Sequence, residues 1–167
     1  MNRRKFLAKG LVLGGAATLG TAARAETQIM NKIRIVGISC SPRKDKTTAT
    51  SVKIALEAAQ KVNPKIETEL IDLGGMSISG WTGGATPGTS QEIMDDFPIE
   101  VEPSLRDSDL CGLIIGSPVY FRSMSSLCKA FLERLASLRK PKLFLADKSV
   151  GVVAVGAYRN GGQELVI

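Results

Sequence analysis

The 167-residue chain contains no histidine. That excludes Ser-His-Asp and Cys-His catalysis and argues against a catalytic zinc, whose ligand sets rely on imidazole. Its three cysteines, Cys40, Cys111 and Cys128, cannot all pair within one chain, and their spacings fit no metal-binding pattern. Cys111 falls in an apolar strand pattern and Cys128 in an apolar helix pattern, so both read as small buried hydrophobes. The GxxxxGK[ST] spacing of a triphosphate-binding loop is missing, as is GxGxxG, so nucleotide triphosphate hydrolysis is not indicated. Internal repeats and low-complexity segments are also lacking. Chemistry in such a chain is borrowed from a cofactor.

Acidic residues are missing from the start of the chain. The first 25 residues, MNRRKFLAKGLVLGGAATLGTAARA, hold five of the 22 Lys and Arg and none of the 16 Asp and Glu. A basic opening, an apolar stretch from Leu11 to Ala23 and a small-x-small site at Ala23-Arg24-Ala25 form the layout of an export leader. The apolar stretch is shorter than the roughly 20 residues a bilayer span needs. An uncleaved interfacial anchor or a disordered tail are the competing readings. NRRKFLAK resembles the twin-arginine leader, whose pathway carries folded proteins, and so implies an exported, periplasmic protein without a membrane span once the leader is removed. The rest keeps 17 basic against 16 acidic residues, a net charge of +1, and bulk charge points to no nucleic-acid partner.

What remains, residues 26–167, has the apolar content of one globular domain, since 44% of the whole chain is hydrophobic and 23% charged. KIRIVGIS (Lys32 to Ser39) reads as a strand buried on both faces. TTATSVKIALEAAQKV, residues 47–62, places Val52, Ala55, Leu56, Ala59 and Val62 on one helical face, with Thr47 or Thr48 as N-cap and Pro64 as stop. KIETELIDL (Lys65 to Leu73) alternates like an edge strand. A glycine-rich irregular segment runs from Gly74 to about Gln91. Pro98 and Pro103 then break a helical pattern. Leu110 to Ser117 is a third strand, followed by a helix with Leu127, Phe131, Leu135 and Leu138 on one face. Ser149 to Ala157 is a fourth. Strands alternating with helices imply a doubly wound, mainly parallel α/β sheet with right-handed crossovers. The flavodoxin type has five strands. The expectation is therefore that the last strand and helix are absent, or that another chain, such as a second copy, covers the open edge.

In such sheets ligands bind beyond the carboxyl ends of the strands. Three compositionally odd loops, 39–48, 117–125 and 156–163, are expected there. The first offers hydroxyls at Ser39, Ser41, Thr47 and Thr48, cations at Arg43, Lys44 and Lys46, and free amides at a helix start, which suits a phosphate dianion. An ordinary strand-to-helix turn is the alternative. In the second, Pro118 stiffens the chain while Tyr120 and Phe121 supply flat apolar area for a planar ring, or simply a cover for the sheet end. In the third, Gly156, Gly161 and Gly162 let the backbone approach a ligand and Arg159 can offset negative charge. A phosphate at the first loop and a planar ring between the other two describe FMN.

These segments resemble the NADPH-dependent FMN reductase and iron-sulfur flavoprotein group of the flavodoxin-like superfamily, from about Lys32 to Glu164. The resemblance is carried by SPRKDKTT, DLCGLIIGSPVYFRSMSSLCKAFLER and GAYRNGGQE. It implies that Ser41, Arg43, Thr47 and Thr48 hold the phosphate, that Pro118, Val119, Tyr120, Phe121 and Ser123 hold the ring on one side, and that Gly156, Arg159, Asn160 and Gly161 meet it from the other. Arg122 stands where the group has glycine, and Lys46-Thr47 where it has Gly-Asn. ISGWTGGATPGTSQEIMDD resembles the segment in which iron-sulfur members carry a cysteine cluster before an Asp-Asp pair. Trp81, Gly84 and Pro87 cannot ligate iron there, so no cluster is expected. Trp81 is open to three readings: packing near the flavin, a subunit contact, or an ordinary core or surface tryptophan. The implied activity is electron transfer from NAD(P)H through FMN to a small acceptor such as a quinone or a flavin. An export leader makes another donor an alternative, because NAD(P)H is scarce outside the cytoplasm. The competing classes are a non-enzymatic electron carrier, which a near-neutral charge disfavours, and a domain without cofactor.

Overall fold

A computed structural model describes residues 32–81, 95–158 and 161–166. The proposed leader, Gly84, Pro87, Arg159 and Asn160 lie outside the described residues. Strand β1 (Ile33–Ser39) is central, with β2 (Ile66–Asp72) on one side and β3 (Leu110–Tyr120) on the other, both parallel to it. Beyond β3 lies β5 (Ser149–Val155), also parallel, giving the order β2-β1-β3-β5. This is a flavodoxin-like fold, and β2 is the edge strand its alternation predicts. One element was not expected. β3 continues through Pro118 to Tyr120 and turns back into a two-residue antiparallel strand, β4 (Ser123–Met124), so 117–120 belongs to the sheet rather than to a loop.

Helix α1 (Thr47–Val62) matches its predicted bounds and buries Thr48, Ala49, Val52 and Leu56 against one sheet face. Val62, assigned to that face by period, is exposed as the last residue of the helix. The predicted threonine cap is corrected: the N-cap is Lys46, and no side chain caps the helix. β1 and β3 present glycine to the helix, and the space a side chain would need there is taken by the helix's own residues. A β-carbon on Gly37 would come within 2.6 Å of Val52 and 2.7 Å of Leu56, and one on Gly116 would collide with Val52.

The opposite face packs Val36, Ile38, Cys40 and Leu113 with Phe97, Val101 and Leu105, which come from a π-helical turn (Phe97–Val101) and the short α2 (Glu102–Leu105). Here Pro98 and Pro103 shorten the helix as expected. Helix α3 (Ser126–Arg134) completes the layer, burying Cys128, Phe131 and Arg134, with Leu138 in the following turn. The predicted face is corrected by one position: Leu127 and Leu135 are half-buried, and Arg134 takes the inner place. Cys111, expected buried, is only half-buried, its thiol donating to the Asp109 carbonyl at 3.3 Å.

At the sheet's amino end Arg34 of β1 pairs with Glu69 of β2 and with Asp107, which precedes β3. The Asp107 carboxyl is held below the usual carboxylate range, first by the Asp109 amide and then by Arg34. A lowered pKa means that its stabilisation is full above the ordinary carboxylate value and is lost as pH falls through the lowered one. Asp107→Asn is therefore expected to flatten the fall in stability below about pH 4 and to cost stability at neutral pH, as read from urea unfolding across pH.

Candidate functional site

The sheet register brings the ends of β1, β3 and β5 to one edge, pairing Ser39 with Gly116 and Pro118 with Val155. The three odd loops start there. Contacts between them are direct. The Cys40 amide donates to the Gly116 carbonyl at 2.8 Å, and the Ser125 hydroxyl donates to the Cys40 carbonyl at 2.6 Å, joining the first loop to the second. The second meets the third where Gly162, in the left-handed region at φ 96°, packs on Arg122; a β-carbon there would lie 2.8 Å from the Arg122 Cα.

In the first loop Ser39, Ser41 and Thr48 are buried, while Arg43, Lys44, Lys46 and Thr47 are exposed. Ser39 shares a face with Gly37 and is paired with Gly116, whose added β-carbon would lie 3.2 Å from the Thr48 methyl. It therefore sits beneath the first turn of α1. Among the described residues its hydroxyl, though fully buried, has no hydrogen-bond partner. Buried hydroxyls are seldom left so. Above it the first α1 amides lack a side-chain cap. The Ser41 hydroxyl accepts from the Arg43 amide at 3.2 Å, and the Asp72 carboxylate at the end of β2 accepts from the Asp45 amide at 2.7 Å, which shapes the loop. An orphaned hydroxyl and uncapped amides fit an anion such as a phosphate.

In the second loop Pro118 is buried, Val119 half-buried, and Tyr120, Phe121 and Ser123 exposed, with Phe121 fully in solvent. Phe121 and Arg122 link β3 to β4 with φ of 50° and 63°. Two successive left-handed residues suit a two-residue hairpin turn, normally filled by Asn or Gly. Arg122→Gly is accordingly expected to raise stability by up to about 1 kcal/mol, relief of left-handed strain outweighing the added freedom of the unfolded chain, as read from a shift in denaturation midpoint. Ser125 caps α3 by accepting from the Cys128 amide, and its own amide donates to the buried Ser117 hydroxyl. In the third loop the Gln163 side chain donates to the Tyr158 carbonyl at 2.7 Å and fills the space beside Gly156.

Sequence reasoning missed the role of Glu133 and Arg134 on α3. The Trp81 amide donates to Glu133 at 2.7 Å, and Arg134 pairs with Asp95 at 2.5 Å. Asp95 and Asp96 also accept from the amides of Ser79 and Ser77. Adjacent residues of one helix thus hold residues 77–81 and 95–97, so the first part of the expected irregular segment is pinned in place. The Glu133 carboxyl is lowered, first by the Trp81 amide. Trp81 itself is 42% exposed. The residue types were visible, but nothing local signals such long-range pairing. Beside this belt, Ile78, Gly80, Ser126, Leu127, Lys129, Ala130 and Glu133 line an open cleft of about 400 Å³.

Fold and site together define an open α/β protein of the flavodoxin-like kind, with an uncapped helix start, an unpartnered buried hydroxyl and exposed aromatic side chains at one sheet edge. The chain belongs to the NADPH-dependent FMN reductase family, which it matches over residues 33–167. Relatives include an iron-sulfur flavoprotein of Methanocaldococcus jannaschii, 37% identical over 81% of this chain and 68% of its own length. Another, the iron-sulfur flavoprotein of Methanosarcina thermophila, is 31% identical over 81% and 69%. Among solved structures, an NADH:FMN oxidoreductase (EMOB) in its apo form superposes with a TM-score of 0.56 at 25% identity, over 78% of this chain and 62% of that one. RosB with bound 8-demethyl-8-formylriboflavin-5'-phosphate superposes at 0.57 and 16% identity, over 80% and 60%. The chain thus spans less than two thirds of these solved chains.

Proposed function

We propose that the protein is an FMN-binding flavoprotein oxidoreductase that passes electrons from NAD(P)H, or another donor, to a small acceptor such as a quinone or a flavin. The observation that carries this reading is the orphaned Ser39 hydroxyl beneath an uncapped helix start, at the edge where all three loops meet. When bound, FMN supplies hydride acceptance and onward electron transfer, which need no histidine.

The chain's own residues bind and orient. Ser41, whose hydroxyl already accepts from the Arg43 amide, can turn its proton outward to a phosphate oxygen. Arg43, Lys46 and Thr47 are exposed around the same helix start and supply charge and a second hydroxyl. Thr48 supports them from below through its packing near Gly116. Pro118, Val119, Tyr120, Phe121 and Ser123 would border one side of the ring, and Gly156, Arg159, Asn160 and Gly161 the other. Trp81, Gly84 and Pro87, which carry no thiol, support a protein without an iron-sulfur cluster, unlike the relatives' names. The twin-arginine-like leader supports export to the periplasm.

The test is NADH and NADPH oxidation by the FMN-loaded protein, with a quinone or free FMN as acceptor. Turnover that requires bound FMN is expected. Tight FMN binding without turnover under any of these combinations would overturn NAD(P)H as the donor, and a further failure with a reduced quinol as donor would overturn the enzymatic reading in favour of an electron carrier.

A further inference from the structure

Two of the three cysteines have no part in the proposed flavin chemistry, yet they are packed together. Cys40 follows β1 on the same face as Val36 and Ile38, and Cys128 is in the first turn of α3, which covers that face. They are 0% and 3% exposed and belong to one packed cluster. The Ser125 hydroxyl joins their backbones, donating to the Cys40 carbonyl at 2.6 Å and accepting from the Cys128 amide at 3.0 Å. Through that single oxygen the carbonyl of one and the amide of the other are no more than about 6 Å apart, a separation that permits the Cα spacing of a disulfide.

We infer that Cys40 and Cys128 form a buried dithiol that closes to an intramolecular disulfide under a two-electron oxidant such as hydrogen peroxide. Supporting the geometry, the neighbouring Cys128 thiol and burial push the Cys40 thiol up, while Cys40 and, after it, Ser117 pull the Cys128 thiol down against its burial. Cys128 is therefore the better nucleophile. Its sulfur attacks peroxide, the O–O bond breaks, and a sulfenic acid and one water form. The Cys40 sulfur then displaces the hydroxyl group, which leaves as a second water with the Cys40 proton. Two thiols are oxidised by two electrons and one peroxide is reduced to two waters. The bond ties the start of the first loop to the helix that follows the second.

The experiment treats the folded full-length protein, and a Cys111→Ser variant, with stoichiometric hydrogen peroxide, then alkylates and maps peptides without reduction. Both proteins are expected to give a Cys40–Cys128 linked peptide and a mass lower by two hydrogens. Because the bridge closes a long stretch of chain, the oxidised form should also unfold at a higher denaturant midpoint than the reduced form. The inference is overturned if Cys40 and Cys128 remain alkylatable after denaturation, or if they are linked only when peroxide is added to unfolded protein. Neither readout depends on flavin, so failure here leaves the proposed function standing.

Discussion

Replacing Arg134 with alanine is expected to lower the unfolding free energy by about 3–5 kcal/mol, a large part of the roughly 5–15 kcal/mol that holds a domain together. The Arg134 side chain is 10% exposed and its partner Asp95 1%. Removing the cation leaves a buried carboxylate whose only remaining contacts among the described residues are the amides of Ser79 and Phe97. It also removes the guanidinium stacked 5.0 Å from the centre of Phe97, a fully buried ring that packs on Phe131. The loss has two parts, and a second variant separates them. Arg134→Ala combined with Asp95→Asn leaves no unpaired charge and keeps an acceptor for one of the two amides, with the volume still unfilled. It should recover much of the stability in a urea titration. A double variant no more stable than Arg134→Ala would show that packing, not the stranded charge, is the larger cost.

The second large effect is expected at Gly116. Valine there must share space with Val52 of α1, and its neighbour Gly37 offers no relief because Val52 and Leu56 already fill that side. The helix must lift or tilt, which costs about 1–3 kcal/mol. Its first turn, with Thr47 and Thr48, moves with it, so FMN affinity should fall by about tenfold or more, each tenfold being 1.4 kcal/mol. Gly151→Ala in the adjoining strand is the control. A β-carbon there meets its nearest neighbour at 3.8 Å, an ordinary contact, so stability should change by about 0.5 kcal/mol at most and flavin binding should not change. Equilibrium unfolding and flavin titration on both variants check this.

Legibility in the sequence followed the range of the interactions. The β-branched run at 33–39 and the apolar period at 47–62 are local patterns, and both elements appear within a residue of their expected ends. The alternation of strands and helices was enough for the parallel sheet, and hence for placing three loops on one edge. The exit from β3 was read too early because Pro118 looks like a strand end, whereas the pairing of Val119 with Met124 and of Pro118 with Val155 carries it on. The inner face of α3 was misplaced because Arg134 counts as polar until Asp95 is brought beside it. The helix cap was assigned to threonine by preference, while the observed start at Lys46 leaves the amides open. That last departure is informative: local rules favour a capped helix, and an uncapped one beside an orphaned hydroxyl is the arrangement the proposed phosphate site calls for.

The most direct measurement compares the affinities of FMN and riboflavin for the flavin-free protein by fluorescence titration. The ring is common to both and only the phosphate differs. With two or three charge-assisted hydrogen bonds at the first loop, each contributing about 1.5–3 kcal/mol, FMN should bind about 100-fold tighter or more. Equal affinity for the two, or binding of neither by the folded protein, would contradict a phosphate held between Ser41 and the start of α1.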